Sequence, residues 1–114
     1  MSDPRLILMA EVHGRTGVID ELRALLAELA EGAHGEAGCV DFRVLLADDP
    51  GELVLYSSWE SESALRRHYA TPHYRRYRER VGPLLARPSD VTVHHLVGTV
   101  HAQDPNPPDP AKFD

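Results

Sequence analysis

Two alternating apolar runs, Cys39 to Leu46 and Glu52 to Trp59, flank the turn sequence Asp48-Asp49-Pro50-Gly51 near the middle of the chain. Alternation with a period of two belongs to extended strands, and an Asp/Pro/Gly turn between two such runs closes an antiparallel hairpin. In the first run Val40, Phe42, Val44 and Leu46 fall on one side, with Asp41 and Arg43 on the other. The rest of the chain must therefore pack on an antiparallel sheet.

The flanks repeat one pattern. Leu6 to Val12 reads as a first strand and His13 to Gly17 as a turn. Val18, Leu22, Leu25, Leu26 and Leu29 then recur at helical spacing, with Asp20, Glu21, Arg23 and Glu28 on the opposite face. Gly32, Gly35 and Gly38 end this helix. After the hairpin, Ser61 suits the N-cap of a short helix through Tyr69, and Thr71-Pro72 restarts a helix carrying Tyr74, Tyr77, Val81 and Leu84. Val91 to Val97 is a last strand. The order β-α-β-β-α-β predicts an α+β, ferredoxin-like domain over residues 1–97, with both helices on one face of a four-stranded antiparallel sheet. Leu45, Val54 and Tyr56 would leave the other face apolar and bare, so a homodimer burying two such faces together is expected. Residues 98–114, with Pro105, Pro107, Pro108 and Pro110, read as a flexible arm.

Composition narrows the partners. The net charge of −6 disfavours a nucleic-acid surface, and the basic cluster Arg75, Arg76, Arg78 and Arg80, interrupted by Glu79, reads as a solvated helix face. No apolar run reaches the roughly 18 residues that a membrane span needs. The opening MSDPRLILMA lacks the long apolar region of a secretory signal, and Cys39, being single, fits a reducing cytoplasm.

The segment Leu53 to Tyr77 gathers the only Trp, Trp59, with His68 and His73 among tyrosines at a strand-to-helix junction. No glycine-rich dinucleotide or phosphate loop is present. His68 and His73 stand five apart with no carboxylate or thiolate at ligand spacing, so neither cofactor nor metal is expected. His13, His34, His94, His95 and His101 belong to no evident constellation, and Cys39 reads as a small core residue.

Four motifs carry a resemblance: G-x-x-x-E-L (Gly17 to Leu22), E-x-G-C (Glu36 to Cys39), W-E-S (Trp59 to Ser61) and H-x-x-T-P-H (His68 to His73). Over about Leu6 to Leu96 the chain resembles the antibiotic biosynthesis monooxygenase family of small dimeric α+β barrel proteins, and within it the bacterial quinol monooxygenases. The resemblance implies oxidation of a small phenolic or quinol-type aromatic by O2 without a cofactor. Polyketide-tailoring members carry an Asn four residues before the Trp and a Tyr six after it, where this chain has Leu55 and Leu65. The positions that match the heme-degrading members' Asn, Trp and His are Val12, His68 and Arg78, which argues against heme. Many members place Glu two residues before the Trp; Ser57 stands there.

Such chemistry requires a phenol to become an electron-rich anion. With a phenolic pKa of about 10, ionisation at pH 7 costs roughly 4 kcal/mol. A positioned base contributes about 10²–10⁴-fold in rate, or about 3–5 kcal/mol. One imidazole is therefore of the right order, and His68 is the expected base or hydrogen-bond partner. Trp59 is expected as an apolar wall for the substrate ring and His73 as a polar contact at the mouth. Leu55 and Leu65 would line the dry part, with Phe42, Tyr69 and Tyr77 as further lining. The same pocket could serve an isomerase or decarboxylase, or a non-catalytic protein that holds an aromatic ligand.

Overall fold

The computed structural model describes residues 5–97; the expected arm of residues 98–114 lies outside the described residues. In chain order the elements are β1 (Leu6–His13), α1 (Ile19–His34), β2 (Cys39–Leu46), β3 (Glu52–Trp59), α2 (Glu62–Tyr69), α3 (Pro72–Val81), a 3₁₀ turn (Gly82–Leu84) and β4 (Asp90–His95). The strands pair antiparallel in the order β2-β3-β1-β4, the ferredoxin-like arrangement that the element order predicts. The break between α2 and α3 is built from two caps. Ser61 Oγ accepts from Ala64 N at 3.1 Å, and Thr71 Oγ1 accepts from Tyr74 N at 3.3 Å. The Thr71 hydroxyl also donates to the His68 carbonyl at 2.7 Å, which ties the end of α2 to the start of α3.

The core lies between the helices and one face of the sheet. Leu22, Leu25, Leu26 and Leu29 of α1 pack against Val12, Leu53, Leu55 and Phe42, and Leu22, Leu26, Val12 and Trp59 have no solvent exposure at all. The opposite face carries Met9 and Leu45 exposed, and Ile7, Val54 and Tyr56 half-buried, an uncovered apolar surface.

Two details depart from the alternation. Cys39 pairs with Trp59 and Asp41 with Ser58, so a bulge takes Val40 out of the ladder and leaves it exposed instead of on the Phe42 side. A single extra residue in one strand shifts every earlier side chain to the other face. The last strand runs from Asp90 to His95, not Val91 to Val97, and it is exposed throughout. Val91 and Val93 pair with Ala10 and Leu8, hence share their helix-side face, yet remain 56% and 55% exposed.

Two glycines seat the end of α1 and the loop that follows it against α3 and α2. Gly38 has φ +88°, and a Cβ there would lie 2.5 Å from Ala64 Cβ. A Cβ at Gly32 would lie 2.6 Å from His73 Cγ. Gly17 shares the positive φ, +90°, but has nothing within 4 Å of its would-be Cβ. Gly38→Ala should therefore cost roughly 2–4 kcal/mol, from backbone strain plus overpacking, against about 1 kcal/mol for Gly17→Ala. Urea denaturation of both variants checks this, and equal losses would mean that the Ala64 contact contributes nothing.

Candidate active site

Between the sheet and the two short helices lies a predominantly apolar cavity of about 430 Å³. Leu8 and Ala10 of β1, Phe42 of β2, and Leu55 and Ser57 of β3 form its floor. Leu65, His68 and Tyr69 of α2 with Tyr74 and Tyr77 of α3 form its roof, and Pro88, Ser89 and Val91 border it toward β4. Six of the residues singled out from sequence thus meet around one space: Phe42, Leu55, Leu65, His68, Tyr69 and Tyr77.

Trp59 and His73 do not line it. Trp59 ends β3 where the chain turns into α2, and its fully buried indole packs on the His68 ring with centroids 4.6 Å apart. It supports the imidazole and offers no surface to a substrate. Its Nε1 has no hydrogen-bond partner. His73 opens α3 on the far side of His68, ring centroids 5.9 Å apart, where it packs into the notch left by Gly32.

What joins the two histidines is Glu36. Its Oε2 lies 2.7 Å from His68 Nδ1 and 2.6 Å from His73 Nε2. No carboxylate stands at ligand spacing along the sequence, but the fold brings one from 32 and 37 residues upstream, beyond any local spacing rule. The sequence signal for this carboxylate is the E-x-G-C motif, which opens on Glu36. An ionised carboxylate only accepts, so both rings donate. His68 is thereby held as the Nδ1–H tautomer. Its Nε2 keeps a lone pair and makes no hydrogen bond among the described residues.

The surroundings set the protonation states. Burial pushes the His68 pKa below the ordinary histidine value; the nearby Glu36 works against this and His73 adds to it. The ring is therefore neutral at neutral pH, with a free acceptor at the edge of an apolar space. Burial raises the hydroxyls of Tyr69 and Tyr77, which stay protonated. Burial, helped by the charges of Glu36 and Asp41, pushes the Cys39 thiol up to about 11, which keeps it an inert core group.

The model of the family described as "Antibiotic biosynthesis monooxygenase" matches residues 5–80. The chain belongs to the antibiotic biosynthesis monooxygenase family. It is 39% identical over 93 residues, 82% of this chain and 91% of the relative, to the Mycobacterium tuberculosis protein named "Putative monooxygenase Rv0793". The solved structure of Rv0793 superposes with a TM-score of 0.77 at 36% identity, covering 87% of this chain and 99% of that one. The structure of PA3566 from Pseudomonas aeruginosa, with a TM-score of 0.74, 24% identity, and coverage of 88% and 99%, shares the fold.

This family member carries a second buried histidine that sequence reading passed over. His13, 3% exposed at the end of β1, lies 2.5 Å through Nδ1 from Glu52 Oε2 and 2.8 Å through Nε2 from Asp90 Oδ2. Those partners are 39 and 77 residues away. With a carboxylate on each nitrogen the ring is held as the imidazolium, its pKa raised by Asp90 and then Glu52 against burial and the charge of Arg87. The pin ties the start of β4 to β1 and β3. Because its folded pKa is raised, its contribution is complete below about 6.5 and is lost as pH rises through the folded value. Wild type should thus lose stability on the alkaline side of 6.5, and His13→Gln should flatten that slope in urea titrations run at a series of pH values. The depressed His68 pKa acts in the other direction. Its contribution is complete above about 6.5 and falls as pH drops from there toward its folded value.

Proposed function

We propose that the protein is a monooxygenase that oxidises a small phenolic or quinol-type aromatic with O2 and no cofactor of its own, with His68 as the base. The observation that carries this reading is the unpartnered Nε2 of a neutral, carboxylate-anchored imidazole at the border of a largely apolar cavity. Family membership and the name of the 39% identical relative support the oxygenase chemistry. The phenolic hydroxyl gives its proton to Nε2, and the phenolate passes one electron to O2. The resulting superoxide and phenoxyl radical join at a ring carbon. The imidazolium then protonates the peroxide, whose O–O bond breaks as the ring carbon loses its hydrogen. One oxygen atom stays on the quinone; the other leaves as water with the two hydrogens. Low dielectric around the cavity helps twice, by keeping His68 neutral and by strengthening its hydrogen bond to the substrate.

In this reading Leu55 and Leu65 hold the ring, with Phe42, Tyr69 and Tyr77 beside them. Trp59 and Glu36 are positioning residues that act through His68. We further read the helix-free face, with Met9, Leu45, Val54 and Tyr56, as the surface on which a second copy packs, and the lone cysteine as the mark of a cytoplasmic protein. Among the described residues no helix is long and apolar enough to cross a membrane.

Oxygen uptake against a panel of hydroquinones and naphthols tests the assignment. At least one compound should drive uptake, and His68→Ala should lower the rate by about 10²–10⁴-fold. Glu36→Gln should cost less, about 10–100-fold, since the base survives without its fixed tautomer. The acid limb of the pH–rate profile should fall below 6.5, because burial depresses the His68 pKa. Turnover that persists without O2 would replace the oxygenase with an isomerase or decarboxylase. Tight naphthol binding without any uptake would leave a ligand carrier. Sedimentation of wild type and Leu45→Glu should show a dimer that the variant dissociates.

A further inference from the structure

Glu36, His68 and His73 come from the loop after α1, from α2 and from α3, and they place one carboxylate oxygen and two imidazole nitrogens within 4.8 Å of one another. Two imidazoles and a carboxylate form a donor set that first-row divalent ions take in open sites, zinc above all. Donors on a tetrahedral ion with bonds of about 2.0–2.1 Å stand about 3.3 Å apart. The present contacts of 2.6 and 2.7 Å must therefore open by about 0.6–0.7 Å to admit such an ion. The surroundings permit it. Glu36 sits on a loop, and the His73 side chain is 25% exposed, which gives both movement and a way in. The site is also built, since Gly32 leaves room for the His73 ring where any side chain would collide.

We propose that Glu36, His68 and His73 bind one divalent ion of the zinc class, and that the bound ion silences His68 as a base. The second half rests on the function proposed above. Coordination needs the Nδ1 lone pair of His68, so the Nδ1 proton must move to Nε2. An Nε2–H donates and cannot accept, and the group facing the substrate changes from base to donor with no net gain or loss of protons. His73 undergoes the reverse exchange, coordinating through Nε2 and carrying its proton on Nδ1. Glu11, His13 and Asp90 also lie within 4.8 Å of one another, but there both ring nitrogens are held by carboxylates and the Arg87 guanidinium stands 3.4 Å from Nδ1. A fixed cation beside an already protonated ring repels a second one.

Calorimetric titration of the chelator-treated chain with Zn²⁺ tests the site, with Co²⁺ absorption as a report on coordination. Wild type should bind one ion per chain with Kd at or below about 10 µM, and Glu36→Gln and His73→Ala should each weaken it about tenfold or more, while His13→Gln leaves it unchanged. Imidazole-detected ¹H–¹⁵N NMR should show the His68 proton leaving Nδ1 for Nε2 as Zn²⁺ is added, and oxygen uptake should fall with occupancy. Absence of saturable binding by wild type overturns the proposal. So does unchanged affinity in both site variants with native circular dichroism, or a proton that stays on Nδ1 in the zinc-bound chain. Binding with the tautomer exchange, but no oxygen uptake by the zinc-free chain on any substrate, would sustain the site and remove the oxygenase reading instead.

Discussion

A single carboxylate oxygen holds the working end of this molecule together. The Glu36 side chain is 11% exposed, and its Oε2 takes two imidazole N–H groups from two different helices. A largely buried carboxylate is costly unless its lone pairs are met by donors, and losing one donor strands the charge. The loop after α1, the end of α2 and the start of α3 are therefore linked in one requirement. Gly32 and Gly38 satisfy its steric side, and the Thr71 hydroxyl on the His68 carbonyl fixes the joint between the helices. The orientation of the His68 ring, and with it the direction of its free nitrogen, follows from these contacts and from the Trp59 indole packed against it.

The two buried histidines show how environment assigns role to one residue type. His68 has one carboxylate neighbour and deep burial, and burial wins, leaving a neutral ring. His13 has a carboxylate on each ring nitrogen at the end of β1, and the charges win, leaving a cation. One is suited to receive a proton and the other to keep one. The same balance of desolvation against charge, weighed at two sites, separates a chemical function from a structural pin.

Much of the architecture was legible because its signals are local. The Asp48-Asp49-Pro50-Gly51 turn, the leucine stripe of α1 and the Ser61 and Thr71 caps each act within a few residues, and each appears where the pattern puts it. The Val40 bulge was not legible, since Cys39 and Val40 are both apolar and either could continue the Phe42 side of the alternation. The exposure of β4 was equally hidden: its β-branched residues look like core, and only the span of the helices decides that they are not. Around the site, six of the side chains singled out by type border the cavity, while the placement of two rings is not written in residue type. Trp59 and His73 are the right kinds of side chain at a junction, but whether they face a hollow or brace a neighbour depends on how the fold packs them, Trp59 on the His68 ring and His73 on Glu36 and Gly32. Glu36 and the pair Glu52 and Asp90 were missed because the histidines they hold lie tens of residues away in sequence.

The hollow beneath α2 and α3 has walls of unlike character. Its base is a hydrogen-bonded ladder of β1, β2 and β3, where each residue also carries the integrity of the whole chain. Its ceiling is two short capped helices whose inner side chains, Leu65 and Tyr77 among them, take no part in that ladder. Exchanging residues on the ceiling reshapes the chamber while the foundation stands. Selectivity for a guest molecule and durability of the fold are thus vested in separate pieces of the same small protein, free to be tuned one at a time.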